Sequence, residues 1–274
     1  MSVSARTTHD PEVSAEMAAE GRRIVDAARE RGLTLRLLGG LAVRDHCEVL
    51  DFWDRDHPDL DVVGLRVEAQ QLGTLFAELG YAERLEVRET TLTGQAQFVR
   101  RCVHAAADGA RQHTDDHVDV FLDVFRMDHA LDLRERLALE PYTVSCADLL
   151  LTKLQIARFE AKDVRDVLAL LEDVPLADGH APGAIDVSYI AGLCAHDWGL
   201  WYDVTTNLRR CGVEMEAYGL DAAERDHPEA AVARLSAAID GAPKPLAWKL
   251  RAKVGTRVSW HAEVEEQDVA SLNE

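Results

Sequence analysis

The sequence predicts an α+β protein, a mixed β-sheet flanked by helices and followed by a helical C-terminal domain. Two observations carry this. Short apolar runs bounded by glycine alternate with helix-period segments up to about residue 140, and beyond Pro141 the pattern turns helical throughout. The division is placed at residue 140, giving units 1–140 and 141–274. A chain of 274 residues has room for two such units, and 47% hydrophobic against 29% charged content is that of a folded chain.

Taken in order, residues 1 to about 12 read as a loose tail. A helix follows to Arg31, with Val13, Met17, Ile24 and Ala28 at helical spacing and Gly32 as its stop. Residues 33–38 form a short apolar strand that runs into the Gly39-Gly40 turn, and a short helix over 41–47 comes next. Residues 48–58 have no period and read as a loop. A second strand over 60–64 leads to a helix over 67–79, with Leu72, Leu75, Phe76 and Leu79 on one face and Gly80 as its cap. Strands are expected around 84–89 and 96–103, then a polar hairpin or loop through Asp116. Residues 118–125 alternate, with Asp119, Phe121 and Asp123 on one face and Val118, Val120, Leu122 and Val124 on the other. Ser145 and Asp148 fit a capping box that opens a helix, and a second helix over 161–172 carries Val164, Val167, Leu168 and Leu171 at the same period.

Composition narrows the function. Thirty basic against 49 acidic residues give a net charge of −19, so the whole surface repels nucleic-acid backbones and acidic membranes, and any such contact must be local. The start lacks an apolar leader, and no apolar stretch is long enough to cross a bilayer. Five scattered cysteines without a CxxC pair argue against a disulfide framework or a cysteine zinc site, and read as reduced thiols in the cytoplasm. His113 and His117 sit four apart but lack a third ligand. Serine-hydrolase, P-loop and Rossmann glycine signatures are absent.

The constellation that remains is Gly39-Gly40, then Asp59 and Asp61 on a strand, then Asp119 on a later strand. Alternation puts Asp59 and Asp61 on one side of their strand, where they can share metal ions, and the glycines let backbone N–H groups approach a triphosphate. Asp119 lies in an apolar strand, where a carboxylate is costly without a compensating cation; Asp123 is its substitute. Three such acids suit two Mg²⁺ ions and phosphoryl-transfer chemistry.

Leu38 to Ala42, the Arg55-x-His57-x-Asp59-x-Asp61 spacing, Val118 to Phe121, Asp148 to Lys153, and Lys162-Asp163-x-x-Asp166 together resemble the AbiEii-type nucleotidyltransferases, within the polymerase-beta-like superfamily. The resemblance covers residues 33–172. It implies a nucleotidyltransferase fold, Mg²⁺ held by Asp59, Asp61 and Asp119, and a nucleoside triphosphate held by Gly39 and Gly40. Arg55 is a candidate phosphate clamp, and Lys153 matches the family's helical lysine. Lys162, Asp163 and Asp166 read equally well as a family element or as a salt-bridged face between two helices. Gly40 departs from the family's frequent serine, which leaves open a non-enzymatic nucleotide- or partner-binding relative, or a metal-dependent hydrolase. A basic stretch over 241–262, with Trp248 and Trp260, suits either an RNA end or the protein's own acidic surface. A small-molecule acceptor is favoured over RNA.

Overall fold

The computed structural model describes residues 11–48, 59–84, 94–105, 111–217 and 222–261. Its frame is a five-stranded sheet in the order β1-β2-β5-β4-β3, formed by β1 (Leu35–Leu38), β2 (Asp59–Gly64), β3 (Ala82–Glu83), β4 (Gln95–Ala105) and β5 (Arg111–Leu122). All neighbours are antiparallel except β2 and β5, which run parallel. The mixed sheet and flanking helices match the expected α+β class.

One face of the sheet is apolar because alternation turns Leu35, Leu37, Leu60, Val62, Val118, Val120 and Phe98 to it, all buried. The helices α1 (Pro11–Glu30) and α3 (Ala69–Glu78) cover this face. A Cβ on Gly21 of α1 would press on the Leu37 and Leu60 side chains, and Phe76 of α3 stacks on Phe98 at 4.3 Å. The opposite face carries Asp61, Asp119, Gln97 and Phe121, and it looks toward α2 (Gly39–His46), the hairpin β6 (Val124–Arg126) and β7 (Ala130–Asp132), and the helices α4 (Cys146–Leu154) and α5 (Ala161–Asp173).

Beyond Pro141 the chain first joins the β1 edge, where Leu37 N–H donates to Tyr142 O and Val144 N–H to Leu37 O. Ser145 then caps α4 as expected, its hydroxyl accepting from Asp148 N–H, while Asp148 is clasped by Arg136 at 2.7 and 2.8 Å. A short parallel pair, β8 (Leu176–Ala177) and β9 (Ile185–Asp186), precedes α6 (Val187–His196), α7 (Trp198–Ala217), α8 (Ala222–Gly241) and α9 (Leu246–Val254). Among the described residues no helix is long and apolar enough to cross a membrane.

Of the polar hairpin or loop expected through Asp116, the structure has the hairpin, since β4 and β5 continue as an antiparallel ribbon to the Ala105–Arg111 pair. Two expectations are corrected. The strand expected over 118–125 breaks at Asp123, a non-glycine residue at φ +66°, whose carboxylate accepts from Arg66 N–H at 2.9 Å. Asp123 is thereby a turn residue, taking the left-handed conformation that aspartate tolerates. The strand expected around 84–89 is not seen there: strand stops at Ala82–Glu83, Arg84 is outside it, and 85–89 lie outside the described residues.

The basic stretch divides into two kinds of residue. Trp248 Nε1 donates to Cys194 O, Lys244 reaches the Ile239 and Asp240 carbonyls at the end of α8, and Arg251 lies 4.4 Å over the Trp198 ring while donating to Gly255 O and Val258 O. These groups clamp the C-terminal segment to its own helices. Lys249, Lys253 and Arg257 stay on the surface.

Candidate functional site

The cleft of interest is built by register. In the parallel β2–β5 pair Asp61 is the partner of Asp119, so the two carboxylates project side by side from the same face of the sheet. Two residues earlier in the register, Asp59 is the partner of His117. The Asp59 side chain and all of Arg55 lie outside the described residues.

β1 ends against this pair, with Leu38 opposite Asp61. The chain then turns at Gly39, at φ +69°, directly into α2. A Cβ at Gly39 would stand 3.0 Å from the Asp61 carboxyl carbon and inside contact distance of Oδ2. Only glycine meets both conditions, the left-handed φ and the closeness of the carboxylate. The first N–H groups of α2 have no partner within their own helix, and they emerge beside Asp61.

Asp119 is held from the other side. Gln97, its antiparallel partner on β4, donates Nε2–H to Asp119 Oδ1 at 2.9 Å, and Gln97 Oε1 accepts from Arg84 at 2.9 Å. The Arg84 contact fixes which end of the amide faces Asp119. Gln97 is a positioning residue that the sequence does not single out; its only local signal is its alternation with Gln95, which lines the same cleft.

Together Gly39, Gly40, Asp61, Asp119 and Lys153 line one cleft of about 440 Å³. Phe121, Phe125 and Met127 form its apolar side, and Arg158, Glu160 and Lys162 its exposed rim. Lys153 is committed to an ion pair: its ammonium lies 2.8 Å from Asp166 and 4.0 Å from Asp163, all three side chains being nearly buried. Asp163 also caps α5, accepting from Glu160 N–H at 3.1 Å, and its burial pushes its carboxyl above the usual range. Lys162 is exposed and pairs with Glu160 at 3.5 Å. Lys153, Asp163 and Asp166 thus form the salt-bridged face between two helices, with Lys153 also facing the cleft.

A larger depression of about 720 Å³ lies on the other face of the sheet, between α3 and β4. Its walls include Leu72, Tyr81, Phe98, Val120 and Leu122, with Glu83 as the one carboxylate among the described lining residues. It lacks converging polar groups, so the smaller cleft is the better candidate.

No family model matches the sequence, and no curated protein matches it. Solved structures similar to it include an antigenic nucleotidyltransferase-like protein from Paracoccidioides brasiliensis, at 11% identity and a TM-score of 0.46, covering 86% of this chain and 97% of that one. The antibiotic-resistance factor ANT(2'')-Ia in solution is similar at 12% identity and a TM-score of 0.36, over 76% of this chain and 100% of that one. The same factor with adenylyl-2''-tobramycin gives 13% identity and 0.35, over 57% and 87%. What the cleft does is therefore read from its own side chains.

Proposed function

We propose that the chain transfers a nucleotidyl group from a nucleoside triphosphate to an acceptor hydroxyl or phosphate in the cleft over Asp61 and Asp119. The observation that carries this reading is the parallel register that sets these carboxylates side by side, with Gly39 closed onto Asp61. Paired carboxylate oxygens are hard donors suited to Mg²⁺, and Asp59, on the same side of β2 by alternation, is the proposed third ligand. Bound there, Mg²⁺ would supply charge neutralisation for the phosphates and polarise the acceptor oxygen.

The chain's own groups do the rest. Backbone N–H groups at Gly39 and Gly40 meet phosphate oxygens, as helix N-termini do, with Lys153 and Arg55 as the proposed cationic side chains. The acceptor oxygen bonds to the α-phosphorus, the bond from that phosphorus to the bridging oxygen breaks, and pyrophosphate leaves. Asp119, oriented by Gln97, takes the acceptor proton. The apolar wall of Phe121, Phe125 and Met127 limits water at the reacting centre.

The AbiEii-type sequence resemblance supports the same reading, and with it we propose a division at residue 140 into a catalytic sheet unit and a helical unit. The net charge of −19 favours a small-molecule acceptor over RNA, and the unpaired cysteine pattern a cytoplasmic location. Gly40, where the family often has serine, favours the second reading of a nucleotide- or partner-binding relative without catalysis.

The test is pyrophosphate release with Mg²⁺, each nucleoside triphosphate and a mixture of small-molecule and RNA acceptors. Wild type should release pyrophosphate and label an acceptor. Asp61→Asn should do neither while melting at the same temperature or higher, because it removes charge repulsion and keeps the shape. Free phosphate without a labelled acceptor would point to a hydrolase, and no turnover by wild type to the binding protein. A D61N protein that unfolds far more easily without metal would make Asp61 a structural partner.

A further inference from the structure

Away from the carboxylate pair, three metal-ligating side chains converge from three separate elements. His129 comes from the turn of the β6–β7 hairpin, Asp203 from α7, and His261 from the end of the described chain. His129 Nε2 and His261 Nε2 lie 2.7 and 3.0 Å from the same oxygen, Asp203 Oδ2, and all three atoms are within 4.8 Å of one another. Trp260 Nε1 also donates to that oxygen, at 2.8 Å. His129 and Asp203 are buried and His261 is partly exposed, beside the aromatic rings of Trp198, Tyr202 and Trp260.

A second observation is independent of the cluster's own hydrogen bonds. Gln155 is 0% exposed, and its Oε1 accepts from His129 N–H at 3.0 Å. That bond fixes the amide's orientation and leaves Nε2 on the same head group with no hydrogen-bond partner among the described residues. A buried donor without an acceptor costs about 1–3 kcal/mol. Among the described residues no oxygen meets it.

We propose that His129, Asp203 and His261 bind a divalent transition-metal ion of the zinc class, with a water in the fourth position. Two imidazoles and a carboxylate are a zinc donor set, whereas Mg²⁺ takes oxygen ligands, so this site is chemically distinct from the cleft. In the metal-free arrangement protons on the two Nε2 atoms join both rings to Asp203. The ion takes their place, each imidazole meeting it as a neutral ring protonated on Nδ1. Zinc bonds of about 2.0–2.1 Å space ligand atoms at roughly 3.3 Å, so the ligands move by side-chain adjustments from their hydrogen-bonded spacing. Trp260 keeps its bond to the carboxylate as outer-sphere support. The ion would staple the C-terminal segment and α7 to the hairpin whose Phe125 and Met127 line the cleft.

The experiment uses the full chain stripped with chelator, then titrated with Zn²⁺ or Co²⁺ in the presence of millimolar Mg²⁺. Wild type and D61N should each bind one equivalent, raise Tm on binding Zn²⁺, and show visible Co²⁺ bands of a tetrahedral site that Zn²⁺ abolishes. H261Q and H129Q should lose that equivalent, the bands and the Tm increase. The partly exposed His261 makes H261Q the variant to rely on if H129Q fails to fold. Zinc uptake by H261Q equal to wild type, no uptake by wild type, loss of the same equivalent in D61N, or displacement by Mg²⁺ would each overturn the assignment and leave a hydrogen-bonded clamp.

Discussion

At the scale of single residues, the cleft depends on two that are costly to replace. Gly39 combines φ +69° with a carboxylate where its Cβ would be. Gly39→Ala is therefore expected to cost about 1–3 kcal/mol in backbone strain and to push Asp61 off its register with Asp119. The measured outcome should be a lower Tm together with loss of pyrophosphate release; a variant of wild-type Tm and activity would show that the turn tolerates a side chain. Lys153 raises a different issue, because its ammonium is shared between Asp166 and Asp163. Lys153→Ala removes the cation from a nearly buried trio and should destabilise the fold by about 3 kcal/mol, read as a lower urea midpoint at constant slope. Adding Asp163→Asn and Asp166→Asn should recover part of that loss, since the carboxylates then need no cation. Any effect of K153A on nucleotide binding must be measured on folded protein.

Among elements, what could be read from sequence is what local alternation encodes. The order of strand, glycine turn, acidic strand and second acidic strand was legible because Leu60, Val62, Val118 and Val120 alternate with the acids over buried positions. The ribbon end over residues 111–116 was legible only as a hairpin or a loop, because Arg-Gln-His-Thr-Asp-Asp carries no apolar period. The break at Asp123 was hidden for the opposite reason, since Val124 and Phe125 continue the pattern across it. Gln97 was invisible because its role comes from pairing with a residue 22 positions away. The seam of α1 with the β4 edge was likewise unreadable, and it supports a prediction. Glu20 accepts from Arg23 at 2.7 and 2.6 Å and from Tyr81 Oη at 2.7 Å, and pairs with Arg100 at 2.8 Å. Burial alone would raise its pKa, but the hydrogen bonds from Arg23 and Tyr81 and the charge of Arg100 outweigh it and hold the carboxyl below 4.5. A depressed folded pKa contributes stability that is fully present above the unfolded value and lost as pH falls through the folded one. Glu20→Gln should thus cost about 1–2 kcal/mol at pH 7. The gap between variant and wild type, followed by urea unfolding across pH, should begin to close below pH 4.5 and be smallest below the folded pKa. A gap independent of pH would mean that shape rather than charge makes this seam.

For the whole molecule, the decisive quantities are the net charge of −19 and the place of the cleft between the sheet and the helices after Pro141. A triphosphate approaching so acidic a chain is repelled at long range, and within the cleft it meets Asp61 and Asp119 as well. Of the cations lining it, Lys153 is paired with Asp166 and Lys162 with Glu160, which leaves Arg158 on the rim against the two carboxylates. Triphosphate without a divalent ion should therefore bind weakly. Mg²⁺ alone finds carboxylates but keeps most of its water, because it dehydrates reluctantly and prefers to share its sites with phosphate. Each ligand supplies what the other lacks, so occupancy of either should strengthen the other by the same factor. The walls of the cleft come from both β5 and α4, and ligand binding to the folded state alone stabilises the entire chain by mass action. We predict that Mg²⁺ with a nucleoside triphosphate raises Tm by more than the sum of the two separate increments, and that D61N abolishes the excess. Raising salt should weaken the long-range repulsion and so improve binding of triphosphate alone, the reverse of what a basic phosphate-binding surface would show. Additive increments in wild type, or an excess that survives in D61N, would place the nucleotide somewhere other than on this carboxylate pair.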